Sequence, residues 1–240
     1  MNREAYRAQV DAVSFSPDFQ DRTMARLREL AQEKEKKTMK KAHWRTGLMA
    51  AAAAAVLVVS AYAAVTLLEP RDVAQRAGNE ALAAAFESEA AVTVNETRTV
   101  GDYTVTLMGL VSGEGLENLD VSRDRTYAVL AMQRADGTPI EDNVPDLTVT
   151  PLIEGYAPWL VNAWTLNGVT TTFAQDGVLY YLLDCNTIEP YADRTVYLTV
   201  YPGNHIPPSA ERFTFDEETG AITVQTGAEA AMFVLPLAGK

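Results

Sequence analysis

Apolar residues follow two different periods along this chain, with an uncharged stretch between them. Up to residue 46 the apolar positions recur every three or four residues. Tyr6, Val10 and Val13 make one stripe, and Phe19, Thr23, Leu27 and Leu30 make a second, with Met24 alongside. This spacing predicts two short amphipathic helices. Ser16-Pro17-Asp18 supplies the start of the second, with a capping hydroxyl, a proline suited to the first helical position and an acid at the positive helix end. From Gly47 to Leu68 no residue is charged. As a helix that stretch reaches roughly 30 Å, the thickness of a bilayer core. Val73, Ala77, Leu82, Ala85 and Phe86 then predict a stalk or capping helix with a break near Gly78-Asn79.

From about Ala91 the period falls to two. Val92, Val94, then Val100, and Tyr103, Val105 and Leu107 mark the first strands, and others are expected at Tyr127–Gln133, Leu147–Ile153, Trp159–Leu166, Thr170–Phe173 and Val178–Leu183. Four more follow at Thr195–Tyr201, Arg212–Phe215, Ala221–Gln225 and Ala231–Leu235. Gly113-Glu114-Gly115, Asp136-Gly137, Asn167-Gly168, Asp176-Gly177, Pro202-Gly203 and Thr219-Gly220 punctuate them. Asn-Gly and Asp-Gly pairs provide the positive φ angles of tight hairpins. The expected fold is therefore mainly β: short helices, one transmembrane helix and an antiparallel, immunoglobulin-like β-sandwich with each strand facing a core on one side. The expected boundaries are 1–46 for a cytoplasmic helical segment, 47–68 for the transmembrane helix, 69–90 for a juxtamembrane helical stalk and 91–240 for the extracytoplasmic domain.

Charge adds an orientation to this division. Residues 1–46 carry 11 Lys+Arg against 7 Asp+Glu, a net of +4, whereas residues 69–240 carry 9 against 25, a net of −16. Lys34, Lys36, Lys37, Lys40, Lys41 and Arg45 immediately precede the apolar stretch. The positive-inside rule places the N-terminus in the cytoplasm and the acidic part outside, and the basic run can also contact anionic membrane lipid. Two other readings of the stretch stand beside the span: a buried alanine-rich helix, or a signal segment cleaved after Ala61-Tyr62-Ala63, with an n-region far longer than signal peptides use. The acidic outer part argues against direct nucleic-acid binding and favours cationic ligands.

Residue types suited to catalysis are sparse. Cys185 is the one cysteine, so no intramolecular disulfide forms; it reads either as a part-buried structural thiol or as a reactive or intermolecular one. His43 and His205 are the two histidines and fall on opposite sides of the stretch, too few for a His-rich metal site or a paired His–Cys centre. Asp216-Glu217-Glu218 can be drawn as a loop calcium site or as a solvated hairpin tip, and lacks Asp-x-Asp-x-Asp-Gly spacing. No catalytic residue, cofactor site or metal site is assigned, and no enzyme activity is expected. Trp159 and Trp164, with Tyr156 and Pro158, form the densest aromatic cluster. Exposed, they would bind a ligand; inward, they would pack the core.

Tyr6, Val13-Ser14-Phe15-Ser16-Pro17-Asp18-Phe19, Thr23 and Leu27-Arg28, followed by a single apolar stretch and by Val100-Gly101-Asp102-Tyr103-Thr104-Val105-Thr106-Leu107, resemble membrane-bound anti-sigma-factor-like proteins of Gram-positive, clostridia-like bacteria. The resemblance implies a short cytoplasmic part that holds a sigma factor and an outer domain that senses envelope conditions. It brings no catalytic residues. The front of this chain also lacks the His-x-x-x-Cys-x-x-Cys motif of zinc-containing anti-sigma factors, so any such contact falls to Tyr6, Val10, Val13, Phe19, Leu27 and Leu30. Two functions are expected on this basis. One is a single-pass regulator coupling an outer sensor to a cytoplasmic partner. The other is a membrane-anchored surface module that binds an outer ligand through Trp159 and Trp164 or supports the envelope, without signalling.

Overall fold

A computed structural model of the chain describes residues 66–141, 145–204 and 207–237. The two expected front helices, most of the expected 47–68 span and His205 lie outside these residues. Among the described residues no helix is long and apolar enough to cross a membrane. Thr66, Leu67 and Leu68, the last residues of that expected span, are not helical.

Two seven-residue helices come first, α1 (Pro70–Arg76) and α2 (Glu80–Phe86). Glu69 and Asp72 form a reciprocal capping box at the start of α1, with Pro70 in its first turn. The side chain of Asn79 accepts a bond from the N–H of Leu82 at 2.9 Å and so opens α2. Between them Gly78 takes a φ of +81°, which turns the chain at the expected break.

Ten strands follow: β1 (Ala91–Val100), β2 (Tyr103–Ser112), β3 (Arg125–Arg134), β4 (Leu147–Ile153), β5 (Val169–Gln175), β6 (Val178–Asn186), β7 (Val196–Pro202), β8 (Phe213–Phe215), β9 (Ile222–Val224) and β10 (Ala231–Val234). They pair into a five-stranded sheet ordered β1-β2-β3-β6-β5, a three-stranded sheet ordered β10-β7-β4 and the two-stranded β8-β9 ribbon. Every pairing is antiparallel. All but one of the expected strands are present; β2 runs on to Ser112 and β6 to Asn186, whereas β8, β9 and β10 are shorter than expected. Trp159–Leu166 is the exception: it is a succession of turns.

Three apolar clusters hold these elements together. The largest joins the two bigger sheets: Leu107, Leu130, Met132, Leu179 and Tyr181 meet Val149, Ile153, Leu198, Val200 and Phe233. The second lies on the opposite face of the five-stranded sheet. There Met108, Val129, Ala131, Tyr180 and Leu182 are covered by Val73, Ala74, Leu82, Ala83 and Ala85 of the helix pair. Leu67 and Leu68 pack against this cluster as well, and the N–H of Leu68 donates to the Tyr180 hydroxyl at 3.0 Å. The third cluster seats the ribbon through Leu152, Tyr201, Phe213 and Ile222.

The helix pair changes what the central strands are. β3 and β6 are buried on both faces along most of their length. Alternate residues of each serve different clusters, Leu130 and Met132 one and Val129 and Ala131 the other. Such strands read as near-continuous apolar runs because neither face meets water. In β2 a register shift between Leu107 and Gly109 inserts Met108 and moves the later residues to the opposite face.

Candidate functional site

The expected aromatic cluster resolves into a rigid loop. Between β4 and β5 the chain folds back on itself: Leu160 N donates to Ala157 O at 2.8 Å, Leu166 N to Asn162 O at 3.0 Å and Gly168 N to Ala163 O at 2.6 Å. Asn162 is fully buried at the centre. Its side-chain amide donates to Pro158 O at 2.9 Å, and its side-chain oxygen accepts from Trp164 N at 3.0 Å. Thr150 of β4 reaches in to accept from Ala163 N at 2.7 Å. The Asn162 side chain thus offers the backbone an alternative to a sheet ladder, which is why the expected strand does not form. Gly168 permits the closure, since a Cβ there would lie 2.9 Å from Ala163 O.

Several large apolar side chains are left facing outward. Trp164 is 74% exposed, Leu160 63%, Val169 61% and Trp159 39%. Trp159 rests edge-on against Phe215 with ring centroids 6.4 Å apart, so it is partly committed to packing. Trp164 is held by its backbone and presents its ring to solvent. Ala157, Ala163 and Leu166 face inward and anchor the loop.

The neighbouring charges are occupied. Arg125 donates to Asp184 Oδ1 at 2.5 Å, Asn186 Oδ1 at 2.8 Å and Asn167 O at 3.0 Å, tying the loop's end to β3 and β6. Arg194 lies over the ring of Tyr156 at 5.2 Å, and Tyr156 meets Tyr191 edge-on at 5.7 Å. The Glu189 carboxylate accepts from Thr126 Oγ1, Thr187 Oγ1 and Ile188 N, so it fastens the chain after β6. The outcome is an aromatic surface on a hydrogen-bonded support, suited to contact with a partner.

Among the described residues, Cys185 and Asp216 lie away from this surface or point inward. Cys185 is buried in the largest cluster, and burial pushes its thiol up to about 12, leaving it protonated at neutral pH. Its burial fits the structural reading of this thiol rather than the reactive or intermolecular one. Asp216 accepts from the N–H groups of Thr219 at 3.0 Å and Glu218 at 2.9 Å, which hold its carboxyl below the ordinary range. It builds a turn at the hairpin tip. Among the described residues no group of three or more His, Cys, Asp or Glu is placed to hold a metal ion. An open cleft of about 570 Å³ runs beside Leu67, Leu68, Pro70, Phe86, Val92 and Met108, where the chain enters the domain.

Of the residues predicted from the sequence, Trp159 and Trp164 share the exposed loop, whereas Tyr6, Val10, Val13, Phe19, Leu27 and Leu30 lie outside the described residues. Leu160 and Val169 were not anticipated. Their signal was an absence: no Asp, Glu, Lys or Arg occurs between Gly155 and Gln175, in a region of the chain with a net charge of −16. Comparison with known proteins finds no match among family models, curated proteins or solved structures.

Proposed function

We propose that this chain is a single-pass membrane regulator of the anti-sigma-factor-like kind, with a cytoplasmic N-terminus and a sensing domain outside. The observation that carries this reading is the seam at Leu67 and Leu68. The uncharged stretch ends in side chains that pack against the second apolar cluster, and Leu68 is bonded to Tyr180 of β6. A tether fixed into the fold transmits a change in the domain better than one joined through a loose linker. The reversal of charge and the change of periodicity across the stretch support the topology. The shared core of the two larger sheets supports an immunoglobulin-like β-sandwich as the outer fold, with the helix pair as an added cover.

Tyr6, Val10, Val13, Phe19, Leu27 and Leu30 are the proposed sigma-factor contacts. The test is capture of the full chain from its native membrane, followed by identification of co-purifying sigma factors. Replacing Phe19, Leu27 and Leu30 together with Asp abolishes the complex in this reading; undiminished capture overturns it. The exposure of Trp164 favours the second reading, a surface module that binds an outer ligand without signalling. In that case deletion of residues 2–30 leaves function intact, while Trp159→Ala and Trp164→Ala impair ligand binding.

A further inference from the structure

Each sheet edge exposes backbone groups that can recruit another strand, and folded proteins ordinarily blunt such edges with charge, proline, bulges or short length. Three edge strands of the two larger sheets are blunted here. β1 is broken by a register shift between Thr93 and Glu96, with Asn95 at a φ of +54°, and carries the Glu96–Arg98 ion pair. β4 contains Pro151, and β10 is four residues long. β5 has none of these protections. It runs seven residues as Val-Thr-Thr-Thr-Phe-Ala-Gln, pairs with β6 without interruption and is exposed at Val169, Thr170, Thr171, Thr172 and Ala174. Both of its faces meet solvent, and among the described residues no strand pairs along its outer edge.

The hairpin fixes which backbone groups point outward. Asp176 and Gly177 both have positive φ, +51° and +79°, and form a two-residue loop closed by the Gln175–Val178 pair. A loop of this type makes the closing pair one that exchanges both hydrogen bonds, and the pattern alternates from there. Phe173, Thr171 and Val169 therefore bond inward to β6, while Thr170, Thr172 and Ala174 direct their N–H and C=O groups to the open edge. No turn, loop or cap bond among the described residues takes these groups up.

We infer that β5 is a self-pairing edge through which two copies of this chain join, antiparallel, into one continuous sheet. A two-fold axis at Thr172 sets Thr172 opposite its counterpart and Thr170 opposite Ala174. Every outward-directed backbone group of the strand then meets another, so the symmetric register falls on the required parity. Thr171 lies beside the Phe173 of the other copy, a β-branched and aromatic pair of the kind that stabilises sheets. Charge selects the occupant. β5 itself has no charged side chain, so a second copy meets no like charge along the strand and a basic peptide finds no acidic partner on it. Strand pairing alone covers less than the roughly 1,200 Å² of standard interfaces, so the association is weak and concentration-dependent. The inference holds whether or not the chain spans a membrane.

Cysteine cross-linking of the full chain provides the test. Thr172→Cys gives a disulfide-linked dimer under mild oxidation, and co-expressed Thr171→Cys and Phe173→Cys chains give more mixed dimer than Thr171→Cys alone. Thr214→Cys, on the exposed face of β8, gives none, and the buried Cys185 of the unsubstituted chain gives none. In sedimentation, Thr172→Lys weakens the dimer at least tenfold with an unchanged circular dichroism spectrum. Cross-linking of Thr172→Cys no greater than that of Thr214→Cys overturns the inference, as does a dimer that survives Thr172→Lys. If Thr172→Lys does not fold, the cross-linking result decides.

Discussion

Asn162 shows how one side chain can settle the shape of a functional surface. It lies in Leu160-Val161-Asn162-Ala163-Trp164, where apolar residues flank a polar one much as they do in a strand, and nothing in that pattern signals that the amide turns inward. Once buried, it bonds the backbone at Pro158 and Trp164. Asn162→Ala removes both bonds, and the buried Pro158 carbonyl left unpaired costs about 1–3 kcal/mol. We expect a lower urea midpoint with an unchanged slope, and faster cleavage by chymotrypsin after Trp159, Leu160 or Trp164. Trp159 and Trp164 were legible as candidates because aromatic density survives without knowledge of the fold. Leu160 and Val169 were not, because the outward orientation of a single apolar residue depends on a loop that only Asn162 and Gly168 explain.

At the scale of elements, the β5–β6 hairpin was the clearest expectation, since Asp176-Gly177 names both its position and its turn. Gly177 is also crowded: a Cβ added there would lie 2.8 Å from the Cβ of Pro139, at a φ of +79°. Gly177→Ala therefore meets a backbone penalty and a clash together, and should destabilise by about 1–2 kcal/mol, measurable as a drop in Tm. Asn167-Gly168 looked equivalent and is not a hairpin. Asn167 has a φ of +48°, but the pair ends the aromatic loop and leads into β5. Dipeptide chemistry specifies a local angle, while the partner of the following strand is decided by packing farther away. The same limit explains β3 and β6. Period-two reading finds the strands, but their burial on both faces depends on where α1 and α2 come to rest.

For the whole molecule, buried ionisable groups make stability sensitive to alkali. Burial raises Tyr181, Tyr201 and Cys185 to about 12, and raises Tyr127, Tyr180 and Tyr197 in the same direction. All are neutral when protonated, and in the unfolded chain they release their protons at lower pH, near 8.5 for cysteine and about 10 for tyrosine. Their contribution to stability is thus complete below about pH 8.5 and is lost progressively as pH rises toward 12. Urea midpoints should be level from pH 7 to 8 and fall steeply above pH 10, with tyrosinate absorbance appearing together with unfolding. The anchoring of Leu67 and Leu68 has a mechanical meaning too. Tension arriving from residue 65 meets two leucines, their hydrogen bond to the Tyr180 side chain and then the capping box of α1 before it loads any strand ladder. Those contacts open in succession, as a zipper does. The helix pair would peel away first, baring Val129, Ala131 and Tyr180 while the strand ladders still held, so the covered face of the sheet would respond to force before the fold itself failed.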